Sequence, residues 1–246
     1  MLLAVKRALK ISGLVLLVLL ALLIASVWEP DRSVESLSAR WAPPPSQFVE
    51  LEGLSALLKQ LQVSRCVLVG NSYGGRLAWE FAVAHPETVG RLVLVDASGY
   101  PRNSTSVPLG FRIAATPGLR RFAEVLLPRG LIERSVKNVY GDPSKVTPEL
   151  VDRYFELTLR EGNRVALGRR MDQVRDGDVS KLSGLMMPTL ILWGGQDRLI
   201  PPENARRFDA DIPNSRLVMF DALGHVPHEE DPTSTVAELE RFLAEP

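Results

Sequence analysis

A chain of 246 residues, 46% hydrophobic and 24% charged, is long enough for one globular domain with room for an insertion. Its 29 basic and 29 acidic side chains cancel, and no long basic run stands out, which argues against a nucleic-acid footprint. The single cysteine, Cys66, excludes an internal disulfide framework and a Cys-rich metal site; its apolar neighbours predict a small buried hydrophobe.

Lys6, Arg7 and Lys10 precede the uncharged run Ile11 to Trp28. As a helix that run would be about 27 Å long, close to the roughly 30 Å hydrocarbon core of a bilayer. It is longer than the apolar region of a usual cleaved signal, and only Ala25 offers a weak cleavage site. Residues 1–28 are therefore expected to form a membrane anchor or signal, with an uncleaved single-pass anchor preferred. The basic residues before the span, with Glu29 and Asp31 after it, place the remainder in the periplasm or outside the cell.

Residues 29–50, with Pro43, Pro44 and Pro45 in succession, predict a stiff juxtamembrane spacer. Leu51, Leu54, Leu57, Leu58 and Leu61 follow at helical spacing. "RCVLVG" then reads as a buried strand, and "NSYGGRLAWEFAVAHP" as a helix stopped at Pro86. Further buried strands are predicted over Arg91–Ser98, after Pro188, and over Arg216–His225. Helical patterns cover Pro202–Ala210 and Thr235–Leu243. Apolar runs without clean alternation, separated by helices, predict βαβ crossovers and an α/β fold with a mostly parallel sheet. Between residues 100 and 184 the pattern is helical only, including a helix that begins at Thr147-Pro148, and predicts an insertion. The core is thus expected in two parts, 51–99 and 185–246.

"GNSYG", Gly70 to Gly74, matches G-x-S-x-G at a strand-to-helix junction. There a serine sits on a sharp turn, small residues two before and two after let backbone pass, and the helix N-terminus favours negative charge. A phosphate-binding turn would need a Lys-Ser/Thr ending or dinucleotide spacing, and neither is present. A serine hydroxyl needs a base. Of the three histidines, His85 ends a helix and is expected to cap its carbonyls; His228 reads as a surface or loop-packing residue. His225 follows the last strand, with Gly224 leaving its ring room. For the acid that orients the base, Asp197 lies after the third strand, with Asp96 and Asp221 as competitors. Ser72, Asp197 and His225 fall in the order Ser, Asp, His, each after a strand.

On "GNSYGG", "LILWGGQDRLIP" and "GHVPHEE", the segment from Leu51 to Pro246 resembles the α/β-hydrolase fold family, most closely its esterase and carbon–carbon-bond (meta-cleavage product) branch. The resemblance implies a Ser72 nucleophile, an Asp197 orienting acid, a His225 general base and a helical cap over residues 100–184. It further implies a small-molecule carbonyl substrate, an oxyanion donor at the N–H of Tyr73, and no cofactor or metal. The family takes its second oxyanion donor from an earlier loop marked by His-Gly, and no histidine here precedes glycine. Four earlier strands and two helices would require roughly 70 residues; Pro30 to Arg65 leaves too little room. The N-terminal half of the sheet and the oxyanion segment are therefore expected to be missing around "SQFVELEGLSALL". An alternative follows: a truncated, catalytically impaired hydrolase-like protein with a binding or interaction role. No feature specifies an oligomeric state.

Overall fold

The computed structural model describes residues 2–46, 53–101, 103–173 and 176–245. Helix α1 runs through Leu2–Val27. Within it Leu9–Val27 is long and apolar enough to cross a membrane, and none of that stretch is buried against the protein. Its apolar residues surround the axis rather than forming one stripe, the pattern of a helix that meets hydrocarbon on all sides.

The stretch read as a spacer contains structure. Trp28 makes a β-bridge with Leu126, and Arg32 another with Arg160. Helix α2, Val34–Trp41, opens with the Ser33 side chain accepting from the N–H of Ser36, the usual cure for an orphan donor at a helix start. Its far end is pinned by Glu156, which accepts from Arg40 at 2.9 Å and from the Trp41 indole N–H at 2.6 Å. Helix α3 covers Leu54–Gln60, starting later than the leucine spacing suggested. Gly53, at φ +134°, precedes its first turn, a backbone conformation open to glycine. Leu51 and Glu52, with residues 47–50 of the proposed deletion junction, lie outside the described residues.

Strands β1 (Cys66–Asn71), β2 (Val89–Val95), β3 (Thr189–Gly194) and β4 (Ser215–Phe220) form one sheet in the order β1-β2-β3-β4, every neighbouring pair parallel. Helix α4, Tyr73–Ala84, links β1 to β2. It stops before Pro86 because the residue ahead of a proline, His85, is driven out of the helical region to φ −136°. Between β2 and β3 lie helices α5 (Leu109–Ala114), α6 (Pro117–Ala123), α7 (Arg129–Val139), α8 (Pro148–Thr158) and α9 (Asn163–Asp172), as the helical-only pattern predicted. Helix α10 (Glu203–Asp211) joins β3 to β4, and α11 (Pro227–Glu230) and α12 (Pro232–Ala244) follow.

Strand alternation sorts the core into two faces. Leu92, Leu94, Ile191 and Trp193 pack with Trp79 of α4 and Phe208 of α10. Val93, Val95, Leu190 and Leu192 pack on the other face with Phe242 of α12. That second cover ends short of β1. Val69 pairs in register with Val93 and so shares its face, yet Val67 and Val69 are 42% and 51% exposed. Cys66, at the start of this strand, is half-buried rather than buried. The helices between β2 and β3 have an apolar cluster of Leu127, Leu131, Phe155 and Leu159, and a second cluster joins Val136 and Tyr140 to Val226 after β4.

Candidate active site

Parallel strands deliver their following loops to one rim of the sheet, and the residues singled out from sequence stand there. Ser72 follows β1, Asp96 follows β2, Asp197 lies after β3 and His225 after β4. Ser72 holds φ 55° and ψ −117°, a region a non-glycine residue enters only under constraint. The constraint is main-chain: its N–H donates to Val95 O, and its carbonyl accepts from the N–H groups of Ser98 and Arg76.

The glycines around it divide differently from the expectation. A Cβ on Gly70 would lie 2.3 Å from the carbonyl oxygen of Gly74, so that position must be bare. A Cβ on Gly74 would meet nothing within 4 Å, whereas one on Gly75 would press 2.6 Å from Ala97 Cβ. The crowded positions are therefore Gly70, beneath the turn, and Gly75, where α4 crosses the end of β2; the second glycine of the motif is not sterically demanded.

His225 and Asp197, 4% and 3% exposed, are in direct contact, Nδ1 to Oδ2 at 2.7 Å. The other Asp197 oxygen accepts from the N–H groups of Leu199 and Ile200 at 2.8 and 2.9 Å. Asp197 presents an acceptor to this nitrogen, a contact satisfied by the tautomer with N–H at Nδ1, in which Nε2 is an acceptor. Asn71, beside Ser72, donates from Nδ2 to the His225 carbonyl at 3.1 Å and to Val95 O at 3.2 Å. It ties the histidine loop to the serine turn. Among the described residues, Ser72 is held through its main chain, and no hydrogen bond joins its hydroxyl to His225.

Of the competing acids, Asp221 is exposed and Asp96 is wholly buried. Asp96 Oδ1 accepts from Gly194 N at 3.0 Å, while Oδ2 has no partner among the described residues. Burial, and then the nearby charge of Asp197, push the Asp96 carboxyl well above the usual carboxylate range. Asp96, Asp197 and His225 bring ligand-type atoms within 4.8 Å of one another. Both Asp197 oxygens and His225 Nδ1 are already committed to hydrogen bonds, so this donor set does not suit a metal.

One support, Glu230, was not singled out from sequence, and another, Gly224, was singled out for a different role. Glu230 is buried and accepts from the N–H groups of Gly141, Asp142 and Gly224 at 2.8–2.9 Å. Gly224, expected to free the His225 ring, is required because a Cβ there would lie 2.3 Å from Val139 O. Val139 O in turn accepts from His225 N at 2.8 Å. A glutamate close after a strand-end histidine was the only sequence signal for this link.

Tyr73 begins α4, and the Arg170 guanidinium sits 3.6 Å from the centre of its ring. A cavity of about 170 Å³ is lined by Ser72, Tyr73 and Ser98 together with Phe111, Leu167 and Arg170 of the insertion and Leu199 and Ile200 after β3. His85, expected at its helix carbonyls, lies 3.4 Å from Ser55 Oγ and against the Phe81 ring. His228 is exposed, as expected.

A parallel sheet with its polar residues gathered at strand ends is the arrangement of an α/β protein with a site on one rim of the sheet. The family model for the alpha/beta hydrolase fold matches residues 50–232, and the chain belongs to that family. It is 32% identical over 179 residues to an uncharacterized hydrolase of Bacillus subtilis, YugF, covering 72% of this chain and 64% of that one. It is 31% identical over 185 residues to a 2-hydroxy-6-oxononadienedioate/2-hydroxy-6-oxononatrienedioate hydrolase of Cupriavidus pinatubonensis, covering 72% and 62%. Among solved structures it is similar to the meta-cleavage product hydrolase CumD of Pseudomonas fluorescens, with a TM-score of 0.66, 21% identity and coverage of 81% and 74%. The chain spans about three-fifths of the length of the curated relatives it matches.

Proposed function

We propose that the chain is a serine hydrolase acting on an ester or similar small carbonyl compound, with Ser72 as nucleophile, His225 as general base and Asp197 as the acid that orients it. The observation that carries this reading is the buried 2.7 Å contact of Asp197 with His225, in a loop that Asn71 ties to the strained serine turn. Ser72 Oγ adds to the carbonyl carbon while His225 Nε2 takes its proton. Collapse of the tetrahedral adduct breaks the bond to the leaving group, which receives that proton. Water, deprotonated by the same nitrogen, then releases the acid and restores Ser72. The N–H of Tyr73 serves as one donor to the developing oxyanion. The helices between residues 100 and 184 act as a cap over the Ser72 cavity, α1 anchors the chain in a membrane, and the domain faces the periplasm or exterior. Membrane anchoring is supported by the uncovered apolar stretch Leu9–Val27 and the preceding Lys6, Arg7 and Lys10.

A specific observation favours a second reading, a truncated protein of low activity with a binding role. The outer edge of β1 has no strand beside it among the described residues, and Val67 and Val69 face solvent where a further helix would cover them. Loss of one oxyanion donor typically lowers turnover by about 10²–10³. Covalent labelling with a fluorophosphonate separates the two. Labelling of the wild type that disappears in Ser72→Ala supports the enzyme; a folded wild type that never labels supports the binding role.

A further inference from the structure

A second cavity, of about 230 Å³, lies inside the insertion, walled by Phe111, Ile113, Leu127, Leu131, Val136 and Leu167. Phe111 and Leu167 also line the Ser72 cavity, so the two spaces share a wall. The charged members of its mostly apolar lining are Arg120, Glu124 and Arg164, and Arg164 is 7% exposed. Arg164 Nε and Nη2 are held by Asp31 and the Glu29 carbonyl, but Nη1 is buried with no partner among the described residues. A buried, unmet guanidinium N–H is costly, and an acceptor oxygen on a ligand would satisfy it.

The same wall is bonded to the membrane-spanning helix. Leu127, which lines the cavity, donates its N–H to the carbonyl of Val27, the last residue of α1, at 3.0 Å. Glu29 N donates to Val125 O, and Asp31 grips Arg164. These contacts fix the cavity wall to the C-terminal end of α1. On α6, Leu119 and Phe122, three residues apart and so on one helix face, are 49% and 62% exposed beside exposed Arg121. Trp28, at the end of the span, is 54% exposed. Apolar and aromatic side chains with a cation, adjoining a span, suit the headgroup boundary.

We propose that this cavity receives the long acyl chain of a membrane-resident lipid ester, with Arg164 Nη1 meeting an oxygen of that lipid, so that the ester reaches Ser72 from the bilayer. The inference names the substrate class of the hydrolase reading and rests on it. A chain already in hydrocarbon gains little by leaving it, so the receiving cavity must itself be apolar, as this one is. Passage along a wall fixed to the span also spares the chain from crossing water.

The test uses the full chain in vesicles of equal parts phosphatidylethanolamine and phosphatidylglycerol, with a trace of phosphatidylcholine carrying a photoactivatable diazirine on its acyl chain. After irradiation, mass spectrometry is expected to find cross-links on Phe111, Leu127, Leu131 or Val136 as well as on α1. Ala123→Trp, which fills the cavity, should remove the insertion cross-links and leave those on α1. Cross-links confined to α1 in the wild type overturn the proposal, and that result does not depend on whether the variant folds. Fluorophosphonate labelling in the same vesicles reads the hydrolase separately: labelling without insertion cross-links sinks only the lipid inference. Cross-links without labelling keep the lipid cavity and overturn the substrate claim together with the hydrolase reading. In solution, kcat/KM for p-nitrophenyl octanoate should exceed that for the acetate by at least about tenfold, since every buried methylene is favourable against water. A preference for acetate opposes the proposal.

Discussion

Asp197→Asn is the sharpest probe of the proposed site, because it changes the chemistry while keeping the shape. Asp197 takes three hydrogen bonds: two from the N–H groups of Leu199 and Ile200 through Oδ1 and one from His225 through Oδ2. Asparagine keeps its carbonyl oxygen for the two backbone donors, so its NH₂ must face His225 Nδ1. Two donors cannot share that 2.7 Å contact, and the imidazole responds by moving its proton to Nε2. The nitrogen needed as base is then occupied, and turnover of an ester substrate should fall by about 10³–10⁴. The stability cost is one charge-assisted hydrogen bond, about 1.5–3 kcal/mol. Asp197→Ala abolishes the same function but also strands two buried N–H groups, at about 1–3 kcal/mol each, so it should melt well below the asparagine variant. Steady-state kinetics, thermal melts and ¹⁵N chemical shifts of the His225 ring, which report the tautomer without requiring turnover, read the three effects. An asparagine variant that retains more than about a tenth of wild-type turnover, or an imidazole still protonated on Nδ1, refutes the assignment.

The glycine geometry predicts that Gly70→Ala and Gly75→Ala lose fluorophosphonate labelling and soluble expression, whereas Gly74→Ala keeps both and is stabilised by about 0.4–1 kcal/mol in thermal melts. Asp96→Asn should fold and label, because its amide can accept from Gly194 and donate toward Asp197. The Asp96 carboxyl is raised in the folded state, so its contribution is complete below the unfolded pKa and is lost as pH rises toward the folded one. Denaturant titrations should therefore show the asparagine variant gaining on the wild type as pH increases above the ordinary aspartate range; a constant or shrinking difference contradicts a neutral, buried Asp96. Glu230→Gln cannot accept from three backbone N–H groups with equal strength, and should cost about 1–3 kcal/mol while reducing turnover through displacement of His225. A kcat within twofold of the wild type would show that this staple does not position the imidazole.

The sheet, the helices between β2 and β3 and the strand-end positions were legible because each is written in short-range pattern. Parallel strands covered on both faces leave continuous apolar runs, and a loop after such a strand exposes its polar residues on a known rim. Choosing Asp197 over Asp96 was harder, since both follow neighbouring strands. What separates them is which oxygen reaches the imidazole, a fact of three-dimensional register. Gly224 was noticed for the wrong reason: its bareness answers the backbone of Val139, which is remote in sequence. The docking of residues 28–41 was equally hidden. Three successive prolines read as a detached spacer, yet Glu156 and Arg164, far along the chain, recruit Arg32, Arg40, Trp41 and Asp31. Pairings of that range leave no trace in local periodicity.

These long-range contacts change how the insertion should be regarded. Val139 supplies the carbonyl that holds His225 N, and Gly141 and Asp142 supply two of the three donors that fix Glu230, whose third donor, Gly224, precedes His225. The other end of the same insertion is bonded to Val27 and Glu29 at the close of α1. A cover that merely opened and shut over a finished site would not carry the backbone that positions its imidazole. Here the helices between β2 and β3 form part of the scaffold of the candidate site, with α1 at one side and His225 at the other. Disturbing the grip of Asp31 on Arg164 is therefore expected to act on His225 through the packing of the insertion, though neither residue touches it.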